Sequence, residues 1–245
     1  MKNNIFIFVH GAYSGAWCWD KVLSILDSRN NAFYAPDLSG LGERKKLLSP
    51  FINLSTHIND VVQVVTEEGL EDVTLVGHSY AGMVISGAAE VMPHRIEQLI
   101  YLDSMLPQDG QSAFDIMPGT RARLNEINYM GEAVKVIMPP DPRVLGIDGP
   151  QEAERVKSLM VPMPAACYEE KIRLKSPMIK SIKKTYILCE TQAPGDSQKS
   201  HESAYERAAG DSWSRIKIPG AHMVMLTHPK ELSEILLQLA VGRLI

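Results

Sequence analysis

The segment from residue 77 to residue 82, Gly-His-Ser-Tyr-Ala-Gly, contains the serine that is best placed for chemistry. It directly follows a run of strand-forming residues, 73–76, and directly precedes a segment of helical periodicity, about 80–91. A serine on a tight strand-to-helix turn exposes its hydroxyl above the sheet, and small neighbours let such a turn close. Ala81 stands where the common pentapeptide has glycine, but it also keeps the turn compact. We therefore predict that Ser79 is the nucleophile of an acyl-transfer reaction.

Acyl transfer places a negative charge on the former carbonyl oxygen, so two backbone N–H donors are needed beside the serine. We predict that these are the amides of Tyr80, which follows the nucleophile, and of Ala12, in the loop after the first apolar run. Residues around these loops are expected to line the substrate site, namely Gly11, Tyr13, Trp17, His78 and Met105.

The base is predicted to be a histidine late in the chain. His222 lies in the loop between the sixth predicted strand and the last helix, where the histidine of a Ser–acid–His order is expected. His228 immediately precedes Pro229 at the start of that helix, which favours a solvated capping role. We therefore predict His222 as the base.

The acid is open to two interpretations. Counting along the strand after residue 181 places Gln192 at the position where such an acid usually lies. Glutamine cannot stabilise an imidazolium as a carboxylate does. Asp103 ends the fourth predicted strand, whereas Asp196 lies four residues beyond Gln192; Glu190 is two residues short of the usual position. We favour Asp103, with Asp196 as the alternative, because a strand end is a more rigid platform than a Pro-Gly loop.

The elements that must position these residues follow an alternating βα pattern. Short apolar runs, each followed by helix-period segments or turns, predict six strands in a doubly wound, mainly parallel sheet, at residues 4–9, 32–35, 73–76, 98–102, 185–189 and 214–218. The alternation fails after the fourth strand. We predict a single domain over 1–245, with a core of 1–105 and 182–245 and a helical cap at 106–181.

The cap is predicted to contain helical patches near residues 119–129 and 150–160. Its methionines, Met117 and Met160 among them, would suit an apolar, adaptable pocket above the carboxyl ends of the strands. Packing of the cap helices is an equally good use for them.

Composition excludes several classes of function. The chain has 245 residues, a net charge of −4 and no basic stripe, so we expect no nucleic-acid partner. No apolar run is long enough to span a membrane. The three cysteines, Cys18, Cys167 and Cys189, have no metal-ligand spacing, so we expect no metal or other cofactor. An odd number of cysteines suits a reducing compartment, which predicts a cytoplasmic protein.

Several segments resemble a known family. Val-His-Gly-Ala at 9–12, Gly-Ala-Trp at 15–17, Gly-His-Ser at 77–79 and residues 220–226 resemble the plant methyl esterase and hydroxynitrile lyase branch of the α/β hydrolases. Residues 37–44 and Tyr-Leu-Asp at 101–103 are more similar to bacterial esterases of that branch. The resemblance implies the α/β-hydrolase fold, a cofactor-free carboxylic-ester hydrolase with a helical cap, and often a homodimer. It also supports Asp103, because some haloalkane dehalogenases carry their acid at this strand end.

The resemblance also separates the enzyme classes of that branch. The similar lyases have Thr, Glu and Lys at the positions of Gly11, His78 and Met223, and this chain has none of the three. We therefore expect hydrolysis of a small or medium carboxylic ester. A lactone or thioester hydrolase would use the same residues, whereas a hydroxynitrile-type lyase or a non-catalytic small-molecule receptor is disfavoured.

Overall fold

The computed structural model describes residues 4–26, 31–191, 195–240 and 242. The strands in these ranges are β1 Asn4–Val9, β2 Asn31–Tyr34, β3 Val73–His78, β4 Ile96–Leu102, β5 Leu124–Tyr129, β6 Glu132–Ile137, β7 Met163–Pro164, β8 Lys183–Cys189 and β9 Trp213–Ile218. The α-helices are α1 Asp20–Ile25, α2 Leu54–Glu67, α3 Ala81–Val91, α4 Ala113–Ile116, α5 Pro150–Leu159, α6 Ala166–Glu169, α7 Asp196–Arg207, α8 Val224–Thr227 and α9 Pro229–Ala240. No helix in the described ranges is both long and apolar enough to cross a lipid bilayer.

Six of the strands form one parallel sheet in the order β2-β1-β3-β4-β8-β9. Each predicted strand is present within two residues of its expected bounds. All six residues of β3 are buried, and the last four of β1 are buried as well. Such continuous burial is typical of parallel strands that are covered by helices on both faces. The mainly parallel α/β architecture predicted from the alternating pattern is therefore confirmed.

The order of the strands reverses direction at β1. The chain goes from β1 outward to β2 and then returns to place β3 on the other side of β1. Val9 at the end of β1 pairs with Gly77 in β3, so the loops that follow these two strands leave the sheet side by side. A crevice opens at such a reversal, outside the carboxyl ends of the strands. The loop that contains Ala12 and the turn that contains Ser79 therefore meet there.

The part of the chain between β4 and β8 is less helical than the sequence predicts. Its β5, β6 and β7 form a three-stranded antiparallel sheet. The predicted helical patch at 119–129 is wrong from Leu124 onward, because Leu124–Tyr129 pairs with Glu132–Ile137 in a hairpin, and the residues before it, Pro118–Arg123, form a short 3-10 helix. Met130 and Gly131 at its tip have φ of 52° and 90°, the left-handed pair that a tight two-residue hairpin turn requires. The second predicted patch is confirmed as α5, which begins at Pro150.

Candidate active site

Ser79 lies on a sharp turn between β3 and α3. Its φ is 57°, in the left-handed region that residues other than glycine rarely adopt. Its backbone is held on both sides, since its N–H donates to the carbonyl of Leu102 (3.2 Å) and its carbonyl accepts from Met105 N–H (3.0 Å) and Ser104 Oγ (2.7 Å). A Cβ on Gly77 would come within 2.9 Å of the carbonyl oxygen of Ala81, so the turn needs a glycine there. These contacts support the strained backbone of a serine-bearing elbow.

His222 lies beside Ser79, in the loop between β9 and α8. Its Nε2 is 2.9 Å from Ser79 Oγ, and its Nδ1 is 2.7 Å from Asp103 Oδ2. Its backbone carbonyl accepts a hydrogen bond from His78 Nε2 at 2.9 Å. Burial holds the pKa of His78 well below its usual value, so this imidazole is neutral and acts as a fixed donor to the loop. The other late histidine, His228, instead lies with its Nδ1 3.0 Å from Thr227 Oγ1.

Asp103 is the carboxylate that the structure brings to His222. It follows β4 with a φ of 42°, and its N–H donates to the carbonyl of Ile187 at 2.8 Å. The side chain is fully buried, and Oδ1 accepts the N–H of Cys189 at 3.1 Å. Burial by itself would raise the pKa of Asp103, but the facing rings of His201 and His222 outweigh it and hold the pKa well below the usual value.

The other candidate acids lie elsewhere. Asp196, in the first turn of α7, accepts the N–H of Gly119 at 2.6 Å through Oδ2, and the His222 nitrogen that an acid would contact is occupied by Asp103. Glu190 is exposed at the end of β8. Gln192 lies outside the described residues. The strand-end position favoured from the sequence is thus the one that contacts the histidine.

His201, which the sequence analysis did not single out, also contacts Asp103. Its Nδ1 is 3.2 Å from Asp103 Oδ2, and both side chains are fully buried. The signal that could have revealed it is the spacing of His201, Ala204 and Ala208, which are all buried on one face of α7 and its end. A histidine within an otherwise small, buried stripe needs a polar partner in the core.

The group most capable of holding a metal ion, among the described residues, is Asp103, His201 and His222. One ligand atom of each lies within 4.8 Å of the others. Asp103 Oδ2, however, already lies within hydrogen-bond distance of both ring nitrogens. The three side chains therefore interact directly with one another, which is the arrangement of a hydrogen-bonded acid–histidine cluster.

The predicted donors of an oxyanion hole, Ala12 N–H and Tyr80 N–H, come from the two loops that meet above β1 and β3. Among the loop and cap hydrogen bonds of the described residues, neither N–H has a carbonyl partner. Gly11 brings the first loop against the serine, since a Cβ there would lie 2.9 Å from Ser79 Cβ. Tyr80 precedes α3, so the positive end of that helix faces the same place.

A cavity of about 340 Å³ opens above Ser79. Its lining from the sheet side includes Ala12, Tyr13, His78, Ser79 and His222, and its lining from the cap includes Met117, Thr120, Arg123, Val144, Leu145 and Tyr168. Four residues predicted near the substrate are not in this lining, and one of them, Gly11, lies against Ser79 Cβ beneath it. Trp17 packs beneath the guanidinium of Arg155, Met105 is buried behind the elbow, and Met160 is buried in the cap.

A polar cluster of Arg123 and Tyr13 lies in the wall of the cavity. Arg123 donates to the hydroxyl of Tyr13 at 3.1 Å through one terminal nitrogen and to the carbonyl of Met138 at 3.1 Å through Nε. Burial raises the pKa of Tyr13, so its hydroxyl stays protonated. The cluster gives the cavity fixed hydrogen-bond donors beside apolar side chains such as Met117 and Leu145.

The chain matches the model of the alpha/beta hydrolase family over residues 6–235. A carbendazim hydrolyzing esterase from Nocardioides sp. (strain SG-4G) is 32% identical over 236 residues, which are 94% of this chain and 96% of that protein. Methylesterase 10 from Arabidopsis thaliana is 30% identical over 259 residues, with 96% and 91% covered.

Solved structures agree on the fold. A tomato methylketone synthase I variant superposes with a TM-score of 0.80 at 21% identity, covering 99% of this chain and 100% of that one. An extracellular alpha/beta-hydrolase from a Paenibacillus species gives a TM-score of 0.75 at 24% identity, covering 96% and 98%. The chain therefore belongs to the alpha/beta hydrolase family, in the branch of plant methylesterases and bacterial esterases, and this relationship confirms the esterase class predicted from its sequence.

Proposed function

We propose that this protein hydrolyses small or medium carboxylic esters through an acyl-enzyme formed on Ser79. The observation that carries the proposal is the hydrogen-bonded series from Ser79 Oγ to His222 Nε2 (2.9 Å) and from His222 Nδ1 to Asp103 Oδ2 (2.7 Å). Nucleophile, base and orienting acid within hydrogen-bond reach are the requirement for an activated serine.

In the proposed reaction His222 Nε2 takes the Ser79 hydroxyl proton as Oγ attacks the ester carbonyl. The same proton then passes to the departing alcohol, which leaves the acyl group on Ser79. A water molecule, deprotonated by His222, attacks the acyl carbon and releases the acid, and the proton returns to Oγ. Asp103 stays ionised throughout, holds the proton of His222 on Nδ1 and stabilises the transient imidazolium.

The negative oxygen of each tetrahedral intermediate would be held by the N–H groups of Ala12 and Tyr80. Their position above the adjoining ends of β1 and β3, next to Ser79, supports this role. Donors that are already oriented cost no reorganisation when the charge develops, and loss of one such donor typically slows a reaction by about 10² to 10³.

Substrate size follows from the cavity. A volume of about 340 Å³ with Met117, Val144 and Leu145 in its wall suits a compact, largely apolar ester. Relatives named as methylesterases support a small alcohol group, and we therefore include methyl esters among the test substrates.

The geometry around Gly11 favours hydrolysis over the lyase alternative. A Cβ at this position would lie 2.9 Å from Ser79 Cβ and 3.1 Å from His78 Nδ1, so the threonine of the similar lyases would require a shift of the loop. Lactone and thioester hydrolysis would use the same residues and belong in the same substrate panel.

The test is a stopped-flow reaction with p-nitrophenyl acetate, followed by turnover on p-nitrophenyl and methyl esters of increasing acyl length. We expect a burst of about one equivalent of p-nitrophenolate, which reports the acyl-enzyme. Ser79→Ala should abolish the burst and lower kcat by about 10⁶. Ser197→Ala is the matched control, because Ser197 also lines the cavity whereas His222 Nε2 faces Ser79 Oγ, and it should keep the burst. A burst that survives in Ser79→Ala would refute the proposal.

A further inference from the structure

The carboxylate of Asp103 faces two histidine rings. His222 approaches Oδ2 at 2.7 Å from the loop after β9, and His201 approaches the same oxygen at 3.2 Å from α7. The two rings are stacked nearly parallel, with centroids 5.2 Å apart and planes 9° apart. In a minimal serine–histidine–acid arrangement the carboxylate needs one imidazole, so the second ring requires its own explanation.

Position and burial distinguish His201 from an incidental core histidine. Its side chain is fully buried, and the atom that faces Asp103 is Nδ1, which lies 3.2 Å from the carboxylate. A ring N–H at that nitrogen can donate to the carboxylate whether the imidazole is neutral or protonated. Asp103 Oδ1 meanwhile accepts the backbone N–H of Cys189. The carboxylate is thus held from three directions, by β8, by α7 and by the loop of His222.

We propose that His201 is a positioning residue of the reaction, which holds the Asp103 carboxylate ionised and correctly rotated toward His222. The inference rests on the proposed function, because it concerns the acid of that reaction. The proposed role of His201 is exerted through Asp103, which it faces at 3.2 Å.

The physical reason is the burial of a charge. A carboxylate removed from water keeps its charge only when hydrogen bonds and facing positive groups replace the lost hydration. Without the His201 donor, the negative charge on the Asp103–His222 pair is less stabilised, so the pair binds its first proton more tightly. The carboxylate also loses a contact that restrains its rotation about the Cβ–Cγ bond. Both effects weaken the orientation of His222 in the attack on substrate.

The titratable groups that face Asp103 come from four surrounding elements. They are His78 from β3, Tyr186 and Cys189 from β8, His201 from α7, and His222 from the loop after β9. Burial raises the pKa of Tyr186 and of Cys189 and lowers that of His78, so these three remain neutral at physiological pH. Changes in the acid limb of a pH profile on substitution of His201 therefore report the Asp103–His222 pair.

The test compares His201→Asn with His201→Leu in the full-length protein. The side-chain nitrogen of asparagine occupies the place of Nδ1 and can still donate to Asp103, whereas leucine fills the space without a donor. We expect His201→Leu to lower kcat by about 10- to 100-fold and His201→Asn to recover most of that loss. If His201 served only for packing, His201→Asn would lose more kcat than His201→Leu, because asparagine is smaller and leaves a polar group in the core.

Two further readouts separate positioning from packing. In His201→Leu the acid limb of kcat/KM should move to higher pH by about one unit, since a tenfold change in proton affinity corresponds to one unit. The downfield proton resonance of the His222 Nδ1–H group, which bonds Asp103 at 2.7 Å, should also shift in His201→Leu and stay near its wild-type position in His201→Asn.

The outcomes are distinguishable. Equal kcat values for the two variants, or an unmoved acid limb in a folded His201→Leu protein, would overturn the inference. If His201→Leu does not fold, His201→Phe replaces it, because phenylalanine keeps a planar ring against His222 and has no donor. If the wild-type protein shows no Ser79-dependent hydrolysis, the proposed function fails, and the proton resonance alone decides whether His201 holds Asp103.

Discussion

Replacement of Asp103 by asparagine tests the proposed acid with an almost isosteric change. Asp103 Oδ1 accepts the N–H of Cys189 at 3.1 Å, so the amide of asparagine would keep its oxygen on that side. Its NH₂ group would then take the place of Oδ2. In the native protein Oδ2 lies 2.7 Å from His222 Nδ1 and 3.2 Å from His201 Nδ1. The asparagine NH₂ group and the His222 Nδ1–H group would both be donors, unless His222 moves its proton from Nδ1 to Nε2.

That change of tautomer removes the base. With its proton on Nε2, His222 would donate toward Ser79 Oγ and could not accept the hydroxyl proton. The loss of the correct tautomer in a triad of this kind costs about 10⁴ in kcat, which corresponds to about 5.5 kcal/mol of transition-state stabilisation. We expect this loss for Asp103→Asn at neutral pH.

The assay is kcat for p-nitrophenyl acetate at pH 7, with thermal unfolding and circular dichroism to verify that each variant is folded. Asp196→Asn is the matched control, because Asp196 lies at the cavity but bonds Gly119 and not His222. It should lose less than about tenfold, since a single exposed backbone contact is worth roughly 1 kcal/mol. A folded Asp103→Asn protein that keeps more than a tenth of wild-type kcat, or an Asp196→Asn protein that is the more impaired, would refute the reasoning.

Three further outcomes are expected. Gly11→Thr should lower kcat for esters by about 10²-fold, because the threonine Cβ would lie 2.9 Å from Ser79 Cβ and displace the nucleophile. Steady-state kinetics on one ester would measure this loss, and an unchanged kcat would show that the loop moves to accommodate the side chain without displacing Ser79. Met117→Ala should change the ratio of kcat/KM between short and long acyl esters, because each methylene accommodated in an apolar pocket is worth about 1–3 kcal/mol. Met160 lies outside the cavity, so Met160→Ala should change kcat/KM for all these esters by the same factor. The depressed pKa of Asp103 stabilises the folded protein at pH values above about 4, the pKa of this side chain in the unfolded chain, and the contribution is lost as the pH falls toward the folded-state pKa. Urea unfolding should therefore show that the free energy of unfolding drops less between pH 7 and pH 3 for Asp103→Asn than for wild type.

Most of the core could be predicted because its signals are local. Most strands of the main sheet are short apolar runs, and the periods that distinguish strands from helices extend over only a few neighbours. Ser79 was identifiable for the same reason, since strand, small-residue turn and helix are contiguous between residues 73 and 91. His222 followed from its place between the last strand and the last helix.

The segment between β4 and β8 was predicted less well. Residues 119–129 have no strong strand alternation, and the extended form of Leu124–Tyr129 depends on pairing with Glu132–Ile137 across the turn at Met130 and Gly131. Trp17 and Met105 lie close to site residues in the sequence, yet they pack behind the loops and not in the cavity. Adjacency along the chain does not determine the direction in which a side chain points.

The sequence by itself determined the order of the elements, the elbow of Ser79 and the late histidine, because each depends on residues that are neighbours in the chain. Tertiary structure decided which carboxylate reaches His222, since Asp103 is 119 residues away in the chain and Asp196 is much nearer. It also decided that His201 joins them, a contact between the end of one strand and a buried face of α7. Such meetings depend on how parallel strands and their covering helices pack, and no spacing within the sequence specifies them.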